Sequence, residues 1–145
     1  MKNIKGQVST ELIVIIAAIM VIFIPLMVTV YLKASGTEET VSTLQAQLAA
    51  TRIANMINTI GNLGDNSSST LEIYLPKNTE KIEFNSYGEG SEITITLTTN
   101  EGPIELSESA KFKILLESSF DQVKGGKIRI ELRSSGDQIK IRRKS

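Results

Sequence analysis

Hydrophobic residues follow three successive patterns along the chain. The first is an unbroken apolar run, Leu12 to Leu32, with no charged residue. At ~1.5 Å per residue this makes about 31 Å of helix, enough for a ~30 Å hydrocarbon core. It carries no polar stripe, so such a helix has to be covered on every side, by lipid or by other helices. Pro25 removes one backbone donor and clashes with the preceding turn, which predicts a kink. Transmembrane helices also tolerate proline with no functional cause.

The second pattern has helical spacing. Gly36 loosens the helix, but Val41, Leu44, Leu48, Ile53, Met56, Ile57 and Ile60 recur mostly three or four residues apart. Ala46, Ala49, Ala50 and Ala54 add helix propensity, and Gly61 with Gly64 is expected to end the element. The apolar stripe drifts around the helix between Leu48 and Ile53. Either the upper half faces neighbouring molecules while the lower half packs its own domain, or the buried face is simply wide. A helix over 7–60 would be ~80 Å long, excessive for a small partner domain and reasonable for a shared core.

The third pattern has period two. A polar linker loop is expected over 61–70, Gly61 to Thr70, and it holds the sequon Asn66-Ser67-Ser68. Asn66 is therefore a candidate for N-glycosylation, the alternative being an unmodified loop. Over 71–145, Leu71, Ile73 and Leu75 alternate with polar residues, as do Ile82 with Phe84, and Ile93, Ile95 and Leu97. Ile104 with Leu106, Phe112 with Ile114, the trio Ile128, Ile130 and Leu132, and Ile139 with Ile141 continue the series. This predicts six or seven short antiparallel strands wet on one face, punctuated by turns at Tyr87–Gly90, Asn100–Pro103, Gly125-Gly126 and Ser135–Asp137. Phe112 to Phe120 is also compatible with a helix. A domain this small has little core of its own, and packing on the lower half of the helix would complete it. The expected fold is α+β: a long N-terminal hydrophobic helix docked onto a small antiparallel β-domain, in the outline of a lollipop.

Composition narrows the chemistry. The 145 residues contain no Cys, His or Trp, and 16 Lys and Arg balance 16 Asp and Glu. Disulfides, Cys/His metal ligation, thiol nucleophiles and imidazole-based triads are excluded. The balanced charge gives no global field towards nucleic acid. Carboxylate pairs such as Glu101 with Glu105, or Glu89 with Glu92, read as solvated strand faces. Ser107, Ser109, Ser118 and Ser119 stand near Lys111 and Lys113 without the spacing of a Ser-Lys pair. Arg142-Arg143-Lys144 lacks aromatic interleaving and is too short for nucleic-acid binding; it reads as a solvated strand edge or as a bridge to an acidic patch on another copy. No enzyme, cofactor or metal site is expected.

Short basic flanks set the orientation. Lys2 and Lys5 precede the apolar run, placing the N-terminus in the cytoplasm and the rest outside. A permanent anchor fits this arrangement. A conventional signal peptide fits less well, because its apolar region is ~7–15 residues long and Ala34-Ser35-Gly36 is a weak cleavage site. Glu11 is the informative residue, since a carboxylate at the edge of an apolar helix is costly unless something pairs it. It is explained locally if Ser9 or Thr10 caps the helix and Glu11 lies in its first turn.

The letters around Glu11 point further. Lys5-Gly6-Gln7-Val8-Ser9-Thr10-Glu11 resembles the class III signal peptide of archaeal type IV pilin-like proteins: a short basic leader, Gly before the cut, Q-x-S-x-E, then an apolar helix. Ile15 stands where that pattern has Leu. The resemblance covers roughly residues 1 to 32. It implies cleavage between Gly6 and Gln7 by a prepilin peptidase, loss of the leader 1–6, and retention of the helix. It also implies that the new amine of Gln7 meets Glu11 of a neighbouring subunit, each charge offsetting the other's desolvation; cyclisation of Gln7 would delete that amine. The implied function is a pilin of an archaeal surface filament, serving adhesion. Its implied partners are copies of itself or other pilins, the peptidase, an assembly ATPase, a membrane platform protein and, before assembly, the membrane. The alternative is an uncleaved single-span membrane protein displaying an extracellular β-domain for binding.

Overall fold

The computed structural model describes residues 4–120, 123 and 125–144, with backbone alone for 4–9 and 35. They fall into two compact units that divide between Glu38 and Glu39.

The first unit is helical throughout. Helix α1, Ile4–Leu63, begins there and continues into the second unit. It starts before the expected 7–60 boundary, so Ser9 and Thr10 lie inside it and Glu11 falls beyond its first turn. The capping explanation of Glu11 therefore does not apply to the uncleaved chain. Backbone helicity persists on both sides of Pro25, where the Thr29 hydroxyl donates to the Pro25 carbonyl at 2.8 Å. Thr37 repeats this four-residue back-bond to Lys33 at 2.9 Å.

The second unit is a β-rich domain packed on the C-terminal part of α1. Ala46, Ala49, Ala50, Ile53, Ala54, Ile57 and Ile60 are all buried. The small alanines allow close approach of strands, and the isoleucines fill the space beyond them. Seven strands follow: β1 Ser68–Leu75, β2 Thr79–Tyr87, β3 Gly90–Thr99, β4 Gly102–Ala110, β5 Lys113–Leu116, β6 Gly126–Ser135 and β7 Gln138–Lys144. They form two sheets. One has the order β1-β6-β7-β5; the other is the meander β2-β3-β4.

Period-two alternation decides which side of each strand enters the core. Ile73, Leu75, Ile128, Ile130, Leu132, Ile139 and Ile141 come from the first sheet, and Ile82, Phe84, Ile93, Ile95 and Leu97 from the second. Phe84 meets Phe120 edge to face, with ring centroids 4.9 Å apart. The α+β class, the long helix and the alternating strands agree with expectation.

Two boundaries and the direction of one strand do not. Gly61 does not end the helix; a Cβ there would run into the ring of Phe112, so its place is taken by packing. Gly64 ends it instead, at φ +87°, a left-handed conformation that glycine adopts without strain. The expected 61–70 linker therefore shrinks to the few residues between Leu63 and Ser68, because Ser68 to Thr70 are held as strand against Arg133 to Glu131. Phe112 to Phe120 is not helical: its centre is β5, which runs parallel to β7, so the domain is not wholly antiparallel.

Candidate processing and assembly site

The residues of the candidate processing motif share the start of α1. Lys5, Gly6, Gln7 and Ser9 are in its helical backbone; their side chains lie outside the described residues. Gly6 and Gln7 fall in the first turn, where N–H groups have no intrahelical acceptor, and Gly6 further weakens the helix. Glu11 and Ile15 are one turn apart on the same face, both exposed. The helix from Thr10 onward is long and apolar enough to cross a membrane, by length and composition.

The large apolar side chains from Leu12 to Leu32 are 48% to 75% exposed, on every side of the helix. In water such a surface is far larger than a monomer sustains. The exposure does not end with the run. Val41, Leu44 and Leu48 are 46%, 57% and 62% exposed, on the part of α1 whose other face is buried in the β-domain. The drift of the apolar stripe thus resolves into two faces, an inner one of alanines and isoleucines and an outer one of these three residues. Tyr74, exposed on β1, joins the outer face beside Leu48, Gln45 and Arg52 around a depression of about 180 Å³. Its signal in the sequence is an aromatic at the polar phase of the Leu71-Ile73-Leu75 alternation.

Polar contacts pin the same helix to its domain. Glu39 accepts from the Asn100 amide at 2.9 Å, Thr51 donates to Glu108 at 3.0 Å, and Asn58 accepts from the Lys111 amide at 2.8 Å. Each bridges the helix to one end of a strand or turn, so the outer apolar face is held in a fixed rotation.

Asn66 lies in the short connection after α1, exposed and at φ 68°. Its amide oxygen accepts from Arg133 at 2.8 Å, and its backbone N–H donates to Ser134 at 3.3 Å. An open groove of about 430 Å³ passes this residue, lined by Glu117, Glu131, Arg133, Lys140 and Arg142 among others. The sequon is therefore on a fixed, accessible turn.

The remaining candidates are scattered. Glu89 and Glu101 occupy turns, whereas Glu92 and Glu105 lie on strands β3 and β4. Ser107 is hydrogen-bonded to Thr94 at 3.0 Å. Arg142 and Lys144 both reach Glu131 on β6, at 2.6 and 3.6 Å. Pairing with β5 stops at Ile141, and among the described residues no strand pairs with 142–144 on that side. Among the described residues no cluster of three or more carboxylates is placed to hold a metal ion.

Compared with known proteins, the chain matches no protein-family model, no curated sequence and no solved structure.

Proposed function

We propose that this chain is a pilin: a membrane-held precursor cut between Gly6 and Gln7, then packed through α1 into a surface filament. The observation that carries this reading is the extent of the outer apolar face. Leu12 to Leu32 alone fill a ~30 Å hydrocarbon layer, and Val41, Leu44 and Leu48 belong to the second compact unit, outside that run. Lipid accounts for the first stretch alone. Identical helices packed side by side account for both, since each offers the others an apolar surface along its length.

The motif at the helix start fits the same picture. Removing the leader at Gly6 costs only the helical hydrogen bonds that the carbonyls of residues 4–6 accept from the N–H groups one turn later. Glu11 then sits about one turn from the new terminus, and the α-amino group of a neighbour's Gln7 is a partner that offsets its desolvation. In this reading the β-domain coats the filament and meets other surfaces or cells, with adhesion as its role and no catalysis. Processing and export would fall to a prepilin peptidase, an assembly ATPase and a membrane platform protein.

The N-terminus and intact mass of the native chain, taken from cells and from sheared surface material, test the proposal. A chain starting at Gln7 with its helix retained, in the sheared fraction, is the expected result. The same mass shows whether the peptide bearing Asn66 carries a glycan. A chain starting at Met1 and confined to membranes would replace the pilin by an anchored display protein. A start near Thr37 would mean ordinary secretion.

A further inference from the structure

The balanced charge of the whole chain conceals a separation by sheet. From Thr79 to Ala110, the span of β2, β3 and β4, seven acidic residues stand against Lys81 alone. From Gly126 to Lys144, the span of β6 and β7, seven basic residues stand against Glu131 and Asp137. The strand registers put Glu83, Glu92 and Glu105, with Lys81, on the outer face of the second sheet, and Lys127, Arg129, Arg133, Lys140, Arg142 and Lys144, with Glu72 and Glu131, on that of the first.

On the first sheet, Glu72, Arg129 and Lys144 form one row across β1, β6 and β7. Thr70, Glu131 and Arg142 form the next, and Ser68, Arg133 and Lys140 the one after. Lys140 has Glu117 beside it at 3.5 Å, but the other two carboxylates in this field are outnumbered. Glu72 is shared by Lys127 at 2.7 Å and by Arg129, and Glu131 by Arg142 and Lys144. On the second sheet the signs are inverted. Lys81, Thr96 and Glu105 form one row, Glu83, Thr94 and Ser107 the next, and Asn85, Glu92 and Ser109 the third. Lys81 pairs with Glu83 at 3.0 Å, and Glu80 and Glu105 add to the field that raises its pKa.

The internal pairs leave a surplus of one sign on each face. Surface pairs of this kind contribute little to the stability of a single chain, and a surplus repels itself within its own sheet. Opposite surpluses on two faces of one molecule are complementary to each other, yet both turn away from the same core and cannot meet within one chain. They can meet between two chains.

We propose that the basic outer face of β1-β6-β7-β5 on one copy docks against the acidic outer face of β2-β3-β4 on a second copy of this chain. The contact is heterologous: each copy uses one face for the molecule before it and the other for the molecule after it. An interface of this type repeats without limit when its rotation does not close a ring. The proposal rests on the filament reading for its setting, where it supplies a contact between outer domains in addition to the packing of α1. It gives register and partner choice more than raw affinity.

The test uses the full chain in detergent micelles, with association followed by sedimentation at about 20 mM and about 500 mM salt. Charged contacts weaken over that range as the screening length contracts, whereas contacts between apolar helices do not. Arg133→Glu with Lys140→Glu cancels the surplus of the basic face, and Glu83→Lys with Glu105→Lys reverses the sign of the acidic one. Each double variant is expected to self-associate at least about tenfold more weakly than the parent at low salt. Mixing the two variants restores pairwise association, because the unaltered acidic face of one meets the unaltered basic face of the other. Circular dichroism confirms that each variant is folded. Salt-independent association of the parent, indifference to either double substitution in folded variants, or failure of the mixture to recover would overturn the proposal. The filament reading fails by a different measurement, the N-terminus of sheared surface material, so the two are separable.

Discussion

Gly61 of α1 faces Phe112 so closely that a side chain of even one carbon would collide with the ring. The glycine lies inside the helix, three residues before Gly64 reverses the backbone. In an exposed helix, replacing such a glycine by alanine stabilises by ~0.5–1 kcal/mol. Here overpacking opposes that gain at a typical cost of ~1–3 kcal/mol. Gly61→Ala is therefore expected to lower the unfolding midpoint of the detergent-solubilised chain. Adding Phe112→Ala should recover part of the loss, since the two positions are in contact and couple. A midpoint that rises in Gly61→Ala would show that the ring moves aside freely.

The two faces of α1 should respond oppositely to truncation. Ile57 is fully buried, and Ile57→Ala is expected to cost ~2–5 kcal/mol of domain stability. Leu48→Ala should leave stability within ~0.5 kcal/mol while reducing the yield of sheared filaments. Denaturant unfolding of the full chain separates the first effect from the second. If Leu48→Ala assembles normally, the outer face is not a helix-packing surface.

Glu11→Ala is expected to be inserted and cut after Gly6 like the parent, and to assemble poorly. N-terminal sequencing of membrane fractions reads the first part, and electron microscopy of cell surfaces reads the second. Normal filaments from this variant would remove Glu11 from the assembly mechanism.

Acid should loosen the β1-β6-β7 face in a defined window. Hydrogen bonds from Lys127 and then Arg129 hold the Glu72 carboxyl below its ordinary value of 4.5; Arg142 chiefly, with Lys144, does the same for Glu131. A carboxylate with a depressed folded pKa contributes stability above its unfolded pKa and loses it as pH falls through the folded value. The unfolding midpoint should therefore fall below about pH 4.5, and fall less steeply in a Glu72→Gln, Glu131→Gln variant. Equal slopes would mean that neither pairing persists in solution.

Much of the fold was legible because each strand shows its alternation in a few letters. Ile93-Thr94-Ile95-Thr96-Leu97 reads as a strand with no knowledge of its neighbours, and β3 is there. The turns at Gly88, Gly102 and Gly136 were legible for the same reason, since each sits between two alternating runs and has positive φ. Pairing was not legible. β5 joins β7 in parallel across more than twenty residues of sequence, a relationship that no local pattern encodes.

The C-terminal limit of the helix and the role of its alanines are not legible locally, for different physical reasons. Gly61 and Gly64 are identical letters, and only the presence of Phe112 against the first distinguishes them. Ala46, Ala49 and Ala50 register in the sequence as helix propensity, whereas in the fold they are the inner face on which the strands close. Of the candidate site, the motif from Lys5 to Glu11 and the outer residues Val41, Leu44 and Leu48 could be named from sequence. The separation of charge between the sheets could not, because it appears only once strand order assigns Glu83 and Arg133 to different surfaces.

The strand order also sets a schedule for folding. β2, β3 and β4 are sequential neighbours joined by tight turns, so their meander needs only short loops to close. β1 has no such neighbour: Ser68 waits for Arg133 and Leu75 for Gly126. Contacts of that separation form slowly, after the entropy of a long loop has been lost. As the chain is synthesised, β1 therefore emerges with its apolar side uncovered and its backbone unpaired, after a helix that is itself apolar. That interval, before β6 arrives, is when the chain is most exposed to aggregation and most in need of a chaperone or of the membrane surface.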